Sequence, residues 1–103
     1  MSVSIVCHTG LIAADLAERL KDIRNQYPTY FEEAFILSEA TASEDFYTEI
    51  LQDAGADFQS ISWFSLSNRK GNNKLVLKDG VELLKKEFSD VDFAAMHLNE
   101  KLM

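Results

Sequence analysis

Apolar residues recur along this chain with two different periods, and the changes of period mark out its elements. From Ser2 to Cys7 the pattern alternates, with Val3, Ile5 and Cys7 on one face and Val6 on the other, which predicts a buried first strand. His8-Thr9-Gly10 is expected to end it. From Leu11 the spacing widens to three and four: Ile12, Leu16, Leu20, Ile23 and Tyr27 form one stripe of an amphipathic helix, with Asp15, Glu18, Arg19 and Asp22 elsewhere on the cylinder. Thr9 stands where a cap belongs, and Pro28 disfavours helical geometry at Tyr27, so the helix should stop near Gln26. Ala34-Phe35-Ile36-Leu37 is too short for a helix and reads as a second, central strand.

Thr41 and Glu44 have the spacing of a capping box and predict the start of a second helix. Its apolar stripe is Phe46, Tyr47, Ile50, Leu51 and Ala54, and Gly55 sits where a left-handed terminating residue belongs. Phe58 to Leu66 is rich in β formers, with Ile61 and Trp63 directed one way and Phe64 and Leu66 the other, so it reads as a central strand covered on both faces or interrupted by a bulge. Asn68 to Asn73 has a turn composition around Gly71, and Leu75-Val76-Leu77 resumes the extended pattern, which predicts an antiparallel hairpin. Asp79 and Glu82 repeat the capping-box spacing and predict a short third helix with Val81, Leu84 and Phe88 as its apolar stripe. Beyond Ser89, residues Val91, Ala94, Ala95, Leu98 and Leu102 keep helical spacing, and the segment reads as a final helix, with a strand from Phe93 to Leu98 as the alternative. The sum is an α/β (α+β) fold: residues 1–103 form a single small domain, with a mixed sheet of about four strands and three to four helices.

Composition narrows the class. With 103 residues, 47% of them apolar, one proline and four glycines, the chain is globular and has material for one core. No apolar run reaches the roughly 18 to 20 residues of a membrane span, and Met1-Ser2-Val3-Ser4 lacks the basic start of a secretory signal. Cys7 is the one cysteine and has no partner for an internal disulfide, so a reducing compartment, the cytoplasm, is expected.

Charge changes the picture most. From Asn25 to Asn68, 44 positions hold no lysine or arginine, yet they hold eight carboxylates: Glu32, Glu33, Glu39, Glu44, Asp45, Glu49, Asp53 and Asp57. The net charge of the whole chain is −7, so the flanks together stand at +1 and the acidity is regional. A one-signed block attracts a basic partner and repels nucleic acid and anionic lipid. A solvated helix surface also carries carboxylates, but it normally intersperses both signs.

Other chemistry is weaker. Cys7 and His8 are neighbours on a strand and diverge to opposite faces, which fits a core cysteine better than an activated nucleophile. His8, His97 and Cys7 lack the short paired spacings that hold zinc or haem, and no metal or cofactor is expected. A metal-dependent nuclease needs a basic surface for the phosphate backbone, which the acidic block does not offer. Arg69, Lys70, Lys74 and Lys78, with Asn72 and Asn73, read as a solvated hairpin tip, since Trp63 and Phe64 are expected inside and leave no stacking aromatics beside it. The order strand, His8-Thr9-Gly10, helix presents amides to an anion. That Thr9-Gly10 turn resembles the phosphate loop of flavodoxin-like domains, and His8 is similar to the phosphorylated histidine of mannose-type phosphotransferase domains. The likeness is confined to the first strand and the turn and helix after it, and implies a phosphotransfer or nucleotide-ligand domain using His8, Thr9 and Gly10.

The leading expectation is therefore a non-enzymatic inhibitor: an immunity protein, an antitoxin or a phage-type mimic of nucleic acid that docks its acidic face on a basic protein such as a nuclease. Tyr30 and Tyr47 join the eight carboxylates as expected partner-binding residues, with Tyr27 and Phe31 as further candidate anchors. The ligand-loop domain and an acidic homo-oligomeric subunit are the alternatives.

Overall fold

The computed structural model describes residues 4–71, 75–97 and 101–103. Its centre is the pairing of β1 (Ser4–Thr9) with β4 (Ser62–Asn68), antiparallel from Ser4 opposite Ser67 to Thr9 opposite Ser62. On its other edge β1 pairs with β5 (Phe93–His97), which in turn pairs with β6 (Lys101–Leu102). The outer edge of β4 carries both β2 (Phe35–Leu37) and β3 (Thr41–Ala42). The resulting six-stranded sheet has the order β2-β4-β1-β5-β6, with β3 on β4 beside that path. Each pairing is antiparallel, so the sheet is not mixed, and the class is the expected α+β with more and shorter strands.

The two sheet faces differ. Ile5, Cys7, Phe64, Leu66 and Ala95 share one face and are buried beneath α1 (Ala13–Gln26) and α3 (Leu77–Glu87). Leu16, Leu20 and Ile23 come down from α1, and Val81, Leu84 and Phe88 from α3 and its end. Phe88 stacks between Phe64 and Phe93, with ring centroids 5.7 and 5.0 Å away. The Arg19 guanidinium lies 5.5 Å from the Phe88 ring centroid, donates to the Glu87 carbonyl at 3.2 Å and grips Asp90 with bonds of 2.6 and 3.0 Å, tying α1 to the end of α3. That contact holds the Asp90 carboxyl below its ordinary pKa.

The opposite face is covered at one end by α2 (Phe46–Ala54), where Leu51 meets Ala94 and Met96. Gly55 ends α2 at φ 100°, a left-handed conformation that glycine adopts without strain, and the Ala56 amide closes on the Leu51 carbonyl at 2.9 Å.

Several expectations are corrected by tertiary contacts. His8 and Thr9 do not end the first strand; they belong to β1. Thr9 does not cap α1, whose N-cap is Ile12; its hydroxyl accepts the Leu11 amide and bonds to Ser62 Oγ at 2.9 Å. Between α1 and β2 the chain makes a π-helical turn, Thr29–Ala34, which buries Phe31 and Ala34. β2 is an edge strand and not a central one. Thr41 is paired in β3 opposite Trp63, so the Thr41/Glu44 capping box does not form; Asp45 occupies the N-cap with no side-chain bond.

The hairpin does not form either, because Leu75 and Val76 lead straight into α3, where the Val76 amide donates to the Asp79 carboxylate at 3.0 Å. The turn residues Asn72, Asn73 and Lys74 lie outside the described residues, as do Ser2, Val3 and Leu98. After Ser89 the alternative holds: the segment is strand β5, not a final helix.

Gly80 marks the closest approach of α3 to the sheet. A methyl group there would come within 2.9 Å of Leu66 Cδ2 and 3.1 Å of Phe35 Cε2. Alanine gains about 1 kcal/mol of helix propensity over glycine, while overpacking a tight core costs roughly 1–3 kcal/mol. Gly80→Ala is therefore expected to lower stability by about 1 kcal/mol, read as a fall in the urea midpoint at unchanged slope, despite being a helix-favouring substitution.

Candidate interaction site

The acidic block folds into two groups on opposite sides of the sheet. Glu32 and Glu33 are exposed on the π-helical turn, whose Phe31 and Ala34 belong to the main core. Glu44, Asp45, Glu49 and Asp53 are exposed on and just before α2, with Glu39 in the β2–β3 loop and Asp57 in the loop after α2. Tyr30 and Tyr47 are divided in the same way: Tyr30 packs on Tyr27, Phe31 and Phe35, while Tyr47 packs on His8 and Trp63 from the other face. Both are half-buried, and Phe31, at 2% exposure, is a core residue and no surface anchor. Tyr27 turns toward Glu87, whose hydrogen bond raises its phenol pKa.

Arg69, the first basic residue after the acidic stretch, returns to the π-helical turn and donates from Nη2 to the Phe31 carbonyl at 2.8 Å. Arg19–Asp90 is the ion pair found among the described residues, and none of the eight carboxylates takes part in one. An open groove of about 460 Å³ lies between α2 and the following loop, lined by Asp45, Thr48, Gln52, Asp57, Phe58, Gln59 and Ser60. Its two carboxylates come from two different elements. A lysine or arginine side chain entering it meets acceptors on both walls.

A buried polar chain fixes α2 and its loop in this position. His8, fully buried, bonds through Nδ1 to Ser60 Oγ at 3.0 Å; Ser60 Oγ bonds to Ser43 Oγ at 2.6 Å; and the Ser60 amide donates to Thr48 Oγ1 at 3.1 Å. One imidazole in β1 thereby connects the segment before α2, α2 itself and the segment after it. His8 is thus a positioning group for the acidic helix.

The same geometry places the His8-Thr9-Gly10 segment. His8 and Thr9 are each 0% exposed, and the Gly10 amide is taken by the Asp92 carbonyl at 3.1 Å. The groove beside Gly10, about 470 Å³, is lined by Leu11, Ser89, Val91 and the carboxylates of Asp90 and Asp92. Two carboxylates and an occupied amide oppose a phosphate there. Among the described residues no group of three histidine, cysteine or acidic side chains converges as a metal site.

Three exposed or half-exposed apolar residues escape the sequence reading. Trp63 lies on the face opposite Phe64, as its parity predicts, but it was expected inside and is only half-buried. Phe46, counted in the apolar stripe, is 53% exposed, and Ile36 is 44% exposed. The available signal was the parity of Trp63, Ser65 and Ser67, which puts serine on the two outward positions that follow Trp63 in β4.

The fold and site together define an α+β domain with an exposed acidic helix on one face of its sheet. Residues 1–101 match the family model described as CDI System Immunity Component, and the chain belongs to that family. It is thus an immunity protein, an inhibitor class and not an enzyme. Among solved structures it is similar to a chain of the CdiA-CT/CdiI toxin and immunity complex from Burkholderia pseudomallei, with a TM-score of 0.84 at 19% identity over 97% of this chain and 95% of that one. At that identity the likeness speaks for the fold. A search of the curated proteins finds no match.

Cys7 is fully buried and free, and desolvation raises its thiol pKa far above the ordinary value. Native protein is accordingly expected to react with thiol reagents only at its opening rate. The raised folded pKa favours the neutral thiol, so its contribution is intact below the unfolded pKa of about 8.5 and declines as pH rises above it, by up to about 1.4 kcal/mol per pH unit. Urea titrations of wild type and Cys7→Ala from pH 8 to 10 are expected to show a steeper fall for wild type.

Proposed function

We propose that this immunity component neutralises a CdiA-CT-type toxin by presenting the acidic face of α2 and its flanking loop to a basic surface, such as the nucleic-acid cleft of a nuclease. The observation that carries the reading is the α2 group: Glu44, Asp45, Glu49, Asp53 and Asp57 are exposed, none is in an ion pair among the described residues, and Asp45 and Asp57 open onto one groove. Glu39 extends this face, and Tyr47 supports it from below. Glu32, Glu33 and Tyr30, on the other side of the sheet, contribute to the long-range field and not to the same contact. The complex in the similar solved structure pairs a toxin with an immunity protein, and a chain of this fold is expected to form one too.

We place the protein in the cytoplasm, where a free Cys7 stays reduced. Among the described residues no helix is long and apolar enough to cross a membrane.

The test is charge reversal on α2. Asp45, Glu49 and Asp53 follow one another at intervals of four along one helix edge, and like charges so placed repel by a few tenths of a kcal/mol per pair. Asp45 makes no cap bond that lysine would remove; lysine at Glu49 loses a favourable dipole contact in the first turn, and lysine at Asp53 gains one in the last. The triple lysine variant is therefore expected to fold with near wild-type stability. Its association with the cognate CdiA-CT-type toxin domain is expected to slow by about 10-fold or more at low salt, with the salt dependence of the on-rate lost or inverted. On-rates equal to wild type at low salt would show the carboxylates to be solvation alone.

A further inference from the structure

We infer that the energetic centre of the toxin contact is not the acidic helix edge but the apolar surface beside it, built on Phe46 at the start of α2 and on Trp63, Ile36 and Val6 of the sheet face that α2 covers only in part. The inference rests on the immunity reading above and adds the part of the interface that holds the complex once charge has brought it together.

Register places these residues together. Val6 lies opposite Ser65 and Ile36 opposite Ser67, while Trp63 has the same parity in β4, so all project from the face that α2 shares. α2 seats Leu51 on the β5 side of that face and reaches the Trp63 ring only through Tyr47, and neither buried cluster includes Trp63, Phe46, Ile36 or Val6. The Phe46 ring stands 4.5 Å from Tyr47, and Tyr47 stands 6.0 Å from Trp63 and 5.5 Å from buried His8. The result is an aromatic ridge exposed at Phe46 and rooted in the sheet. Aromatics already held in place lose little conformational freedom on binding, and tryptophan and tyrosine are the residues most enriched where binding energy concentrates.

The rim names the occupant. Ser65 and Ser67 keep the floor neutral and shallow, and Glu44 and Asp45 immediately precede Phe46 in the chain. The complement is a protein surface with an apolar centre ringed by lysine or arginine. A second copy of this chain would bring like carboxylates against these, and nucleic acid would be repelled by them. An inhibitor complex hides about 800 Å² on each partner, drawn from roughly 20–30 residues, which the nine residues of α2 do not supply.

The experiment measures association and dissociation rates with the cognate CdiA-CT-type toxin domain, for Trp63→Ala, Phe46→Ala and Ser65→Glu, each first confirmed folded by its unfolding midpoint. Trp63→Ala is expected to raise the dissociation rate about 30-fold or more with the on-rate within about twofold. Phe46→Ala, exposed and outside both cores, is expected to do the same to a smaller degree, and its folding is not at issue. Ser65→Glu separates the two kinds of contact: added negative charge speeds binding if the field alone matters, and weakens it if an apolar surface seats there. Wild-type dissociation for Trp63→Ala and Phe46→Ala, together with faster binding by Ser65→Glu, would overturn the inference while the α2 charge-reversal effect leaves the immunity reading standing. Wild type that does not bind the toxin domain overturns both.

Discussion

The register between β1 and β4 is the constraint on which the rest depends. With Cys7 opposite Phe64 and Ile5 opposite Leu66, four apolar residues face α1 and α3, while Val6, His8, Trp63 and Ser65 face the other way. A slip of one residue would exchange these sets, burying serines under two helices and presenting Phe64 and Leu66 to solvent. The strong hydrophobic difference between the two parities is what fixes the pairing. Because one face carries nearly all of the main core, the other is released from packing duty, and only its Ala94–Met96 end is needed to seat Leu51 of α2. The partial exposure of this face is a by-product of how completely the opposite one is filled.

Where α2 sits follows from a polar contact more than an apolar one. Leu51 is its one fully buried residue, a modest apolar anchor for a helix whose outer edge carries mutually repelling carboxylates. The hydrogen bonds from Ser60 to His8, Ser43 and Thr48 compensate by fixing the chain on both sides of the helix. Buried hydrogen bonds of this kind contribute about 1 kcal/mol each when made and cost more when a partner is lost. The acidic edge is a local conflict in an otherwise consistent design, and such conflicts are expected where a surface is kept for binding.

Elements whose periodicity was reinforced by their neighbours were legible in the sequence: β1, α1, α2 with Gly55, and the parity of β4. The errors share one cause, short segments whose local signal is overruled from a distance. Thr41 and Glu44 have capping-box spacing, but the Thr41 backbone pairs with Trp63 instead, an option invisible until β4 is in place. Leu75-Val76-Leu77 is apolar enough for a strand, yet Asp79 captures the Val76 amide and starts a helix. Phe93 to Met96 satisfies both periods, and only pairing with β1 decides for strand. The π-helical turn has no 3.6-residue repeat to announce it. For the candidate site, the charge block could be read directly, but not its division between two sheet faces, nor the return of Arg69 to one of them. Exposure of Trp63 and Phe46 depends on how little of one face α2 covers, which no single segment encodes.

Charge and apolar contact then have separable roles. Carboxylates without local counterions act at distances up to a Debye length, about 8 Å at physiological ionic strength, and so govern encounter. They do little to hold a complex, because each charge gives up hydration when it is buried. A rigid aromatic ridge has the reverse character: it has no reach, but once seated it excludes water and strengthens the ion pairs around it. On the reading proposed above the two act in sequence, first in finding the toxin and then in holding it. Antiparallel pairing fixes Trp63 beside His8, and the bond of His8 to Ser60 fixes the segments that flank the charged helix.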